Sequence, residues 1–264
     1  VVGILGKADH ARESSGDFAS TVIATRGLLL VSAPESSSAQ TVLFTYFELS
    51  GWRGKWFAFR NMGLGVERLG KPEGMEWLKL LGSGSANGFG LWPNWGGYAL
   101  LAAFPSEVLA KAALASPLWK AYQSHAASAK TFVLQPLQVH GAWDGVNPFR
   151  TSDAEYNRDD ETVVLTRARI HNRHLPAFWS RVRKVSESIA DFPERTFAVG
   201  VGELPVIQQA TVSHWTSGRA MEAYAYSSKY HSEVVRLTRE EGWYTEELFC
   251  RFGVVEIVAS QALP

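Results

Sequence analysis

The 264-residue chain carries 26 basic and 26 acidic side chains, so its formal net charge is zero, and 46% of it is hydrophobic against 20% charged. That balance belongs to a soluble globular protein and excludes a disordered one, and the interspersed charges leave no basic face for nucleic acid. The single cysteine, Cys250, excludes an intrachain disulfide and any cysteine-built zinc or iron–sulfur site within one chain, and points to a reducing, cytoplasmic setting.

No stretch reaches the roughly 18 apolar residues that span a bilayer. Residues 1–40, rich in Ser, Ala and Gly, are read as an N-terminal extension without a signal peptide, with at most one strand around Gly27–Ser32. Thr41–Leu49 is strand-like in its β-branched and aromatic content, and Trp52–Leu69 has apolar residues at helical spacing. Glu76–Leu81 reads as a short strand, Gly82–Gly97 as a glycine-rich loop and Tyr98–Phe104 as an apolar strand. Ser106 is placed to cap a helix running to about Lys130, before a closing strand at Thr131–Val139.

The order then repeats. Thr162–Ile170 predicts a strand, Leu175–Phe192 a helix, Phe197–Gly202 and Ala210–Trp215 two strands, Ser217–Glu241 a helix and Phe249–Val258 a last strand. The fold class expected is α+β, with two tandem ferredoxin-like (β-α-β-β-α-β) halves at 41–142 and 162–264, joined by a linker at 143–161. A shift of 111 positions lays Phe104–Lys120 on Trp215–His231 without a gap and matches Ser106 with Ser217, Ala112 with Ala223 and Ser116 with Ser227. Two such sheets packed face to face give a barrel suited to a hydrophobic ligand.

The overlay sets His231 opposite Lys120, an asymmetry between the halves. Tyr224, Ser228, His231 and Val235 are spaced by four, three and four residues, so they share a helix face with Met221, the side expected to meet the sheet. A histidine there serves either as a core hydrogen-bonding group or as a proximal haem ligand. His171 and His174 have no third ligand close in sequence, which makes zinc a poor reading. The run Gly82–Gly90 lacks the Gly-Lys-Ser/Thr of a phosphate loop, no Gly-x-Ser-x-Gly elbow occurs, and no flavin or nicotinamide fingerprint is present.

Several motifs in order resemble the spheroidene monooxygenase (acyclic carotenoid 2-ketolase) family. They are Gly82-Ser83-Gly84 with Gly88-Phe89 and Pro93-Asn94, Gly97-Tyr98-Ala99-Leu100-Leu101, and Trp143-Asp144-Gly145 with Pro148-Phe149. Further along come Leu165-Thr166-Arg167-Ala168, Ala177-Phe178-Trp179, Gly200-Val201-Gly202-Glu203, Met221-Glu222-Ala223-Tyr224-Ala225, and Glu241-Gly242-Trp243 before Glu246-Glu247-Leu248. The likeness runs from about Val42 to Val255; Trp95 and the second glycine of Gly96-Gly97 depart from the pattern, which bears on the substrate more than on the fold.

The resemblance implies a monooxygenase that introduces hydroxyl and keto groups at the terminal C2 of an acyclic carotenoid. It further implies haem b on a dimeric α+β barrel-type fold, O2, and reduced ferredoxin as electron donor. It makes the helix-borne His231 the iron ligand. Arg167 is then a candidate for a haem propionate, or else a solvent-facing strand arginine. Gln209 and Ser83 are candidates for distal hydrogen bonds, and Phe89, Trp92 and Trp179 for an apolar substrate tunnel. A haem-dependent dehydratase or peroxidase-like enzyme, a non-catalytic haem or lipophile carrier, and a cofactor-free oxygenase on the same barrel stand as alternatives. The expected location is cytoplasmic, and contact with a membrane periphery is compatible with a polyene substrate.

Overall fold

The computed structural model describes residues 39–62, 64–85, 92–180, 192–203, 208–227 and 240–261. Eight strands form a closed, wholly antiparallel barrel: β1 (Thr41–Leu49), β2 (Trp77–Gly84), β3 (Pro93–Phe104), β4 (Ala126–Gly141), β5 (Thr162–Ile170), β6 (Arg195–Gly202), β7 (Gln208–Trp215) and β8 (Tyr244–Gln261). Neighbours run β1-β3-β2-β6-β7-β5-β8-β4 and back to β1. Read in the same sense, the first four strands lie in the order β4-β1-β3-β2 and the last four in the order β8-β5-β7-β6.

Two seams join these runs. β4 and β8 pair along Ser128 to Gly141, whereas β2 and β6 meet only at Gly82–Gly202 and Ser83–Val201. Inside the barrel, alternate residues of every strand meet in one apolar core that includes Phe44, Leu101, Phe132, Val163, Val212, Cys250 and Phe252. Burial pushes the Cys250 thiol well above its ordinary pKa, so it packs as a small hydrophobe.

Helices cover the outer face: α1 (Gly51–Asn61), α2 (Gly65–Leu69), α3 (Glu107–Ala113), α4 (Pro117–Gln123) and α5 (Gly218–Ser227), with residues 175–180 also helical. The expected helix 52–69 is therefore two pieces, because Met62 takes an extended backbone (φ −57°, ψ 122°) that ends the first. The helix expected from Ser106 to Lys130 also divides. Ser106 caps α3 through Leu109 N, but Pro117 holds Ser116 extended, and Ser116 caps α4 through Trp119 N.

Two other differences concern strand length. β4 begins at Ala126, five residues before the expected Thr131, because Ala126–Lys130 pairs with β1 and Ser128–Lys130 also with β8. The glycine-rich segment is a shorter connection than expected: Ser83 and Gly84 pair with Asn94 and Pro93, so both ends of the segment belong to β2 and β3. β1 and β5 coincide with the expected Thr41–Leu49 and Thr162–Ile170. The expected strand at Gly27–Ser32, most of the helix 175–192 and the C-terminal part of the helix 217–241 lie outside the described residues.

On the outer face of the first run, α1, α3 and α4 close over Leu43, Phe47, Tyr98, Leu100 and Phe104, with Leu80 packed at the edge. Trp119 is fully buried there and donates its indole N–H to Thr45 at 3.0 Å; Thr45 also shares a hydrogen bond with Thr131. On the outer face of the second run, the described residues form two smaller groups, one around Val164, Trp215, Met221 and Tyr224 and one around Ile170, Phe178 and Trp243. Burial of Met221 and Tyr224 puts that helix face against the sheet, as its spacing predicts.

Candidate functional site

The narrow seam carries a cavity of about 230 Å³ on the helix side of the barrel. Its floor is Gly82, Gly84 and Gly202, where the strands come together without side chains. Phe59 and Met62 reach it from α1, Trp179 from the helical residues 175–180, and Trp92, Trp95 and Tyr98 from the start of β3 and the residue before it. The polar groups that line it are Ser83, Asn94, Glu203 and Gln209. An apolar wall with a few convergent polar groups is the usual form of a small-molecule site.

The sequence explains this opening row by row. Pairing places Leu80, Leu100 and Thr45 side by side in the first run, and Gly200, Thr211 and Thr166 side by side in the second. One row on, Tyr98 and Phe47 are matched by Gln209 and Ala168. Leu80, Leu100, Tyr98 and Phe47 of the first run thus give way to Gly200, Thr211, Gln209 and Ala168 in the second, while Thr45 is matched by Thr166. Gln209 points into the cavity from the place that Tyr98 holds in the first run.

Ser83 is buried and donates its hydroxyl to the Gly200 carbonyl at 2.9 Å, which ties β2 to β6 and leaves the oxygen able to accept one further bond. Tyr46 stands beside it. Burial raises its phenol pKa, the hydrogen bond with Ser83 lowers it in part, and Glu48 raises it again, so the hydroxyl stays protonated at neutral pH. Gly97 is required here, because a Cβ would come within 2.9 Å of both Ser83 Cβ and Asn94 Nδ2.

Of the residues expected to form the site, Ser83, Gln209, Trp92 and Trp179 converge on this cavity. Phe89 and His231 lie outside the described residues. Arg167 is elsewhere: strand alternation with Leu165 turns it into the barrel interior, and it is 1% exposed. Its guanidinium is bonded to Glu246 and, at 3.3 Å, to Asp144, and lies over the Trp143 ring at 5.1 Å. The solvent-facing alternative for Arg167 is thereby overturned: its charge is met inside the barrel by these groups.

Sequence reasoning missed this ionic cluster at the barrel end. Lys79 bridges Asp144 (2.6 Å) and Glu203 (2.7 Å), and Trp143 donates its indole N–H to Glu203 at 2.8 Å. Glu246 accepts from the backbone amides of Asp144 (3.0 Å) and Gly145 (2.6 Å). Burial raises the Glu246 pKa, but these amides and Arg167 outweigh it and hold the carboxyl below its usual range. Glu203 belongs to both assemblies, so the cluster sets one wall of the cavity.

No family model matches the sequence. Three curated relatives do. A spheroidene monooxygenase of Rhodobacter capsulatus is 39% identical over 211 residues, covering 79% of this chain and 88% of the relative. The chain belongs to the spheroidene monooxygenase family. Relatives of the same name from Cereibacter sphaeroides (33% identical, 82% of this chain and 67% of the relative) and Rubrivivax gelatinosus (32%, 72% and 72%) agree.

The spheroidene monooxygenase family makes the protein an oxidoreductase. Among solved structures, an aldoxime dehydratase superposes with a TM-score of 0.60 at 10% identity, covering 88% of this chain and 87% of its own. A second, solved with butyraldoxime, gives 0.56 at 11%, covering 85% and 83%. At such identities the likeness is one of fold.

Proposed function

We propose that this protein is a haem-dependent monooxygenase that introduces hydroxyl and then keto groups near one end of an acyclic carotenoid or similar polyene. The observation that carries the reading is the apolar cavity at the β2/β6 seam, in a chain whose relatives are named spheroidene monooxygenase. At about 230 Å³ the cavity is smaller than most sites for drug-sized ligands. It accepts one end of a long polyene and leaves the rest outside, which suits terminal oxidation.

The described residues fit a haem in one respect that can be examined. The outer face of the second run offers Gly200, Thr211 and Ala168 where the first run has Leu80, Leu100 and Phe47. These smaller side chains, on the face next to the cavity, support the reading of a flat apolar group held against that face. His231 is the proposed iron ligand, ten residues past the buried Met221 of α5 in sequence. When bound, haem supplies O2 activation, with one oxygen atom entering a C–H bond and the other leaving as water at the expense of two electrons from a donor such as reduced ferredoxin.

The chain's own residues bind and exclude. Phe59, Met62, Trp95 and Trp179 hold the polyene end by apolar contact and keep water out. The Gln209 amide can donate a hydrogen bond to an oxygen within the cavity, while the Ser83 proton stays with the Gly200 carbonyl. Arg167, engaged by Glu246 and Asp144, has no part in holding the cofactor in this proposal. The repeated strand order further supports two tandem ferredoxin-like halves of dimeric α+β barrel type, fused in one chain.

The deciding experiment is the absorption spectrum of protein expressed with haem supplementation, beside His231→Ala, followed by turnover of an acyclic polyene with O2 and reduced ferredoxin. A Soret band that the variant loses, with oxidised product from the wild type, is the expected result. Absence of a band in both proteins would remove the haem and leave a cofactor-free barrel.

A further inference from the structure

α1 wears its bulky side chains on the outside. Its buried residues are Gly54, Ala58 and Asn61, with Phe57 half-buried against Tyr122 and His125, while Trp52, Trp56 and Phe59 face solvent, Trp52 with 72% of its surface exposed. Small residues inside let the helix lie close to the chain at His125, whose carbonyl is 3.1 Å from the place a Cβ on Gly54 would take. They give no reason for tryptophans outside.

The outward aromatics are continuous with the cavity mouth. The Trp56 and Phe59 rings are 5.8 Å apart, and Phe59 and Trp95 5.4 Å apart, edge to face. Trp92, 79% exposed, stands at the same mouth. A contiguous exposed aromatic patch of this kind marks a surface meant to be covered.

The charges around the patch select the cover. α1 carries Arg53, Lys55 and Arg60 and no carboxylate, with the Arg53 guanidinium 5.6 Å from the Trp52 ring centre. Two copies meeting through this face on a two-fold axis would set like charges against one another. An anionic bilayer satisfies both features: indole rings settle at the headgroup level, and cations on long stems reach the phosphates.

We propose that α1 and the adjoining Trp92–Trp95 segment dock on an anionic lipid bilayer, so that the cavity mouth opens at the membrane surface. Resting on the reading of a polyene substrate, this docking lets the substrate's end enter the cavity while its remaining length stays among the acyl chains. No helix among the described residues is long and apolar enough to cross a membrane, and docking requires none.

The test is flotation of the full chain with vesicles of phosphatidylcholine alone or mixed with phosphatidylglycerol. Wild type is compared with Trp52→Ser/Trp56→Ser and Arg53→Glu/Lys55→Glu, four exposed positions outside the cavity wall. Wild type is expected to float with the mixed vesicles and to dissociate as salt is raised. Each double variant is expected to bind about tenfold more weakly, with unchanged far-ultraviolet circular dichroism.

A wild type that stays in the supernatant, or variants that float equally well, would overturn the proposal. So would a concentration-dependent dimer that Trp52→Ser/Trp56→Ser abolishes, since the patch would then serve self-association. Flotation needs neither haem nor turnover: protein that floats without a Soret band defeats the haem reading alone, and protein that oxidises detergent-dispersed polyene without floating defeats the docking alone.

Discussion

The two runs of strands share an order, yet their outer faces have been put to different uses. In the first run Phe47, Leu80, Tyr98 and Leu100 meet α1, α3 and α4, and the face is filled by the protein itself. In the second, the matched positions are Ala168, Gly200, Gln209 and Thr211. The comparison teaches that a repeated framework can keep one copy as a structural wall while the other carries smaller or more polar side chains at the matched positions. Those positions adjoin the shorter of the two seams, where the cavity lies.

Exchanging the matched residues is the strongest way to break this contrast. On the haem proposal, Ala168→Phe, which restores in the second run what Phe47 supplies in the first, is expected to remove nearly all Soret absorbance per protein while far-ultraviolet circular dichroism is retained. Full pigment in that variant would show that the small-residue face is not the haem's resting place. The converse change, Phe47→Ala at a fully buried position, is expected to cost about 3–5 kcal/mol in denaturant unfolding and to leave the pigment-to-protein ratio of the folded fraction unaltered.

The barrel interior of the second run gives a third, somewhat smaller effect. Glu246→Gln leaves the buried Arg167 short of a counter-charge and is expected to cost roughly 3 kcal/mol, with pigment retained, by chemical denaturation at neutral pH. Because the Glu246 pKa is lowered on folding, its contribution is present above the unfolded carboxylate value and fades as pH falls through the lower folded one, so the variant and wild type converge in acid.

The smallest effect belongs to His214, buried in β7 between Thr196 and Glu161. Burial lowers its pKa, Glu161 opposes this and Lys130 adds to it. Its neutral form is favoured on folding, so stability is complete above the unfolded value of about 6.5 and declines as pH falls below it. Thermal melts between pH 7 and pH 5 are expected to show a decline that His214→Gln reduces; an equal decline in both would assign it to other groups.

What the sequence disclosed follows from how local each signal is. β1 and β5 are legible to the residue, because Thr41–Leu49 is almost wholly β-branched, aromatic and leucine, and Thr162–Ile170 opens on Thr-Val-Val-Leu-Thr and closes on Ile. Glycines at 82 and 84 read as loop, but they are strand residues, paired with Tyr98 and Gly202 at one and with Pro93 at the other, a reason that lives in the partner strands. Helix breaks at Met62 and Ser116 were obscured by apolar spacing that continued across them, although Pro117 marked the second.

Within the site, Ser83, Gln209, Trp92 and Trp179 were picked out by resemblance and do converge, whereas Tyr98 and Glu203 stood in quoted motifs without a role and Phe59 and Met62 went unnoticed. Phe59 and Met62 looked like ordinary helix residues, and their role depends on where α1 lies. The ionic cluster had no local trace at all, since Lys79 and Glu203 are 124 residues apart in sequence.

The long β4/β8 seam has a consequence for the order of events at the ribosome. β8 pairs with both β4 and β5, and it is the last strand of the barrel to be synthesised. Until it emerges, β4 keeps one edge open and β5 lacks a neighbour, so the wall cannot close during most of translation. Contacts such as Val133 with Glu256 span more than a hundred residues of chain, which makes closure a slow, late step. A nascent chain halted before residue 244 would present two open strand edges, the form most in need of a chaperone.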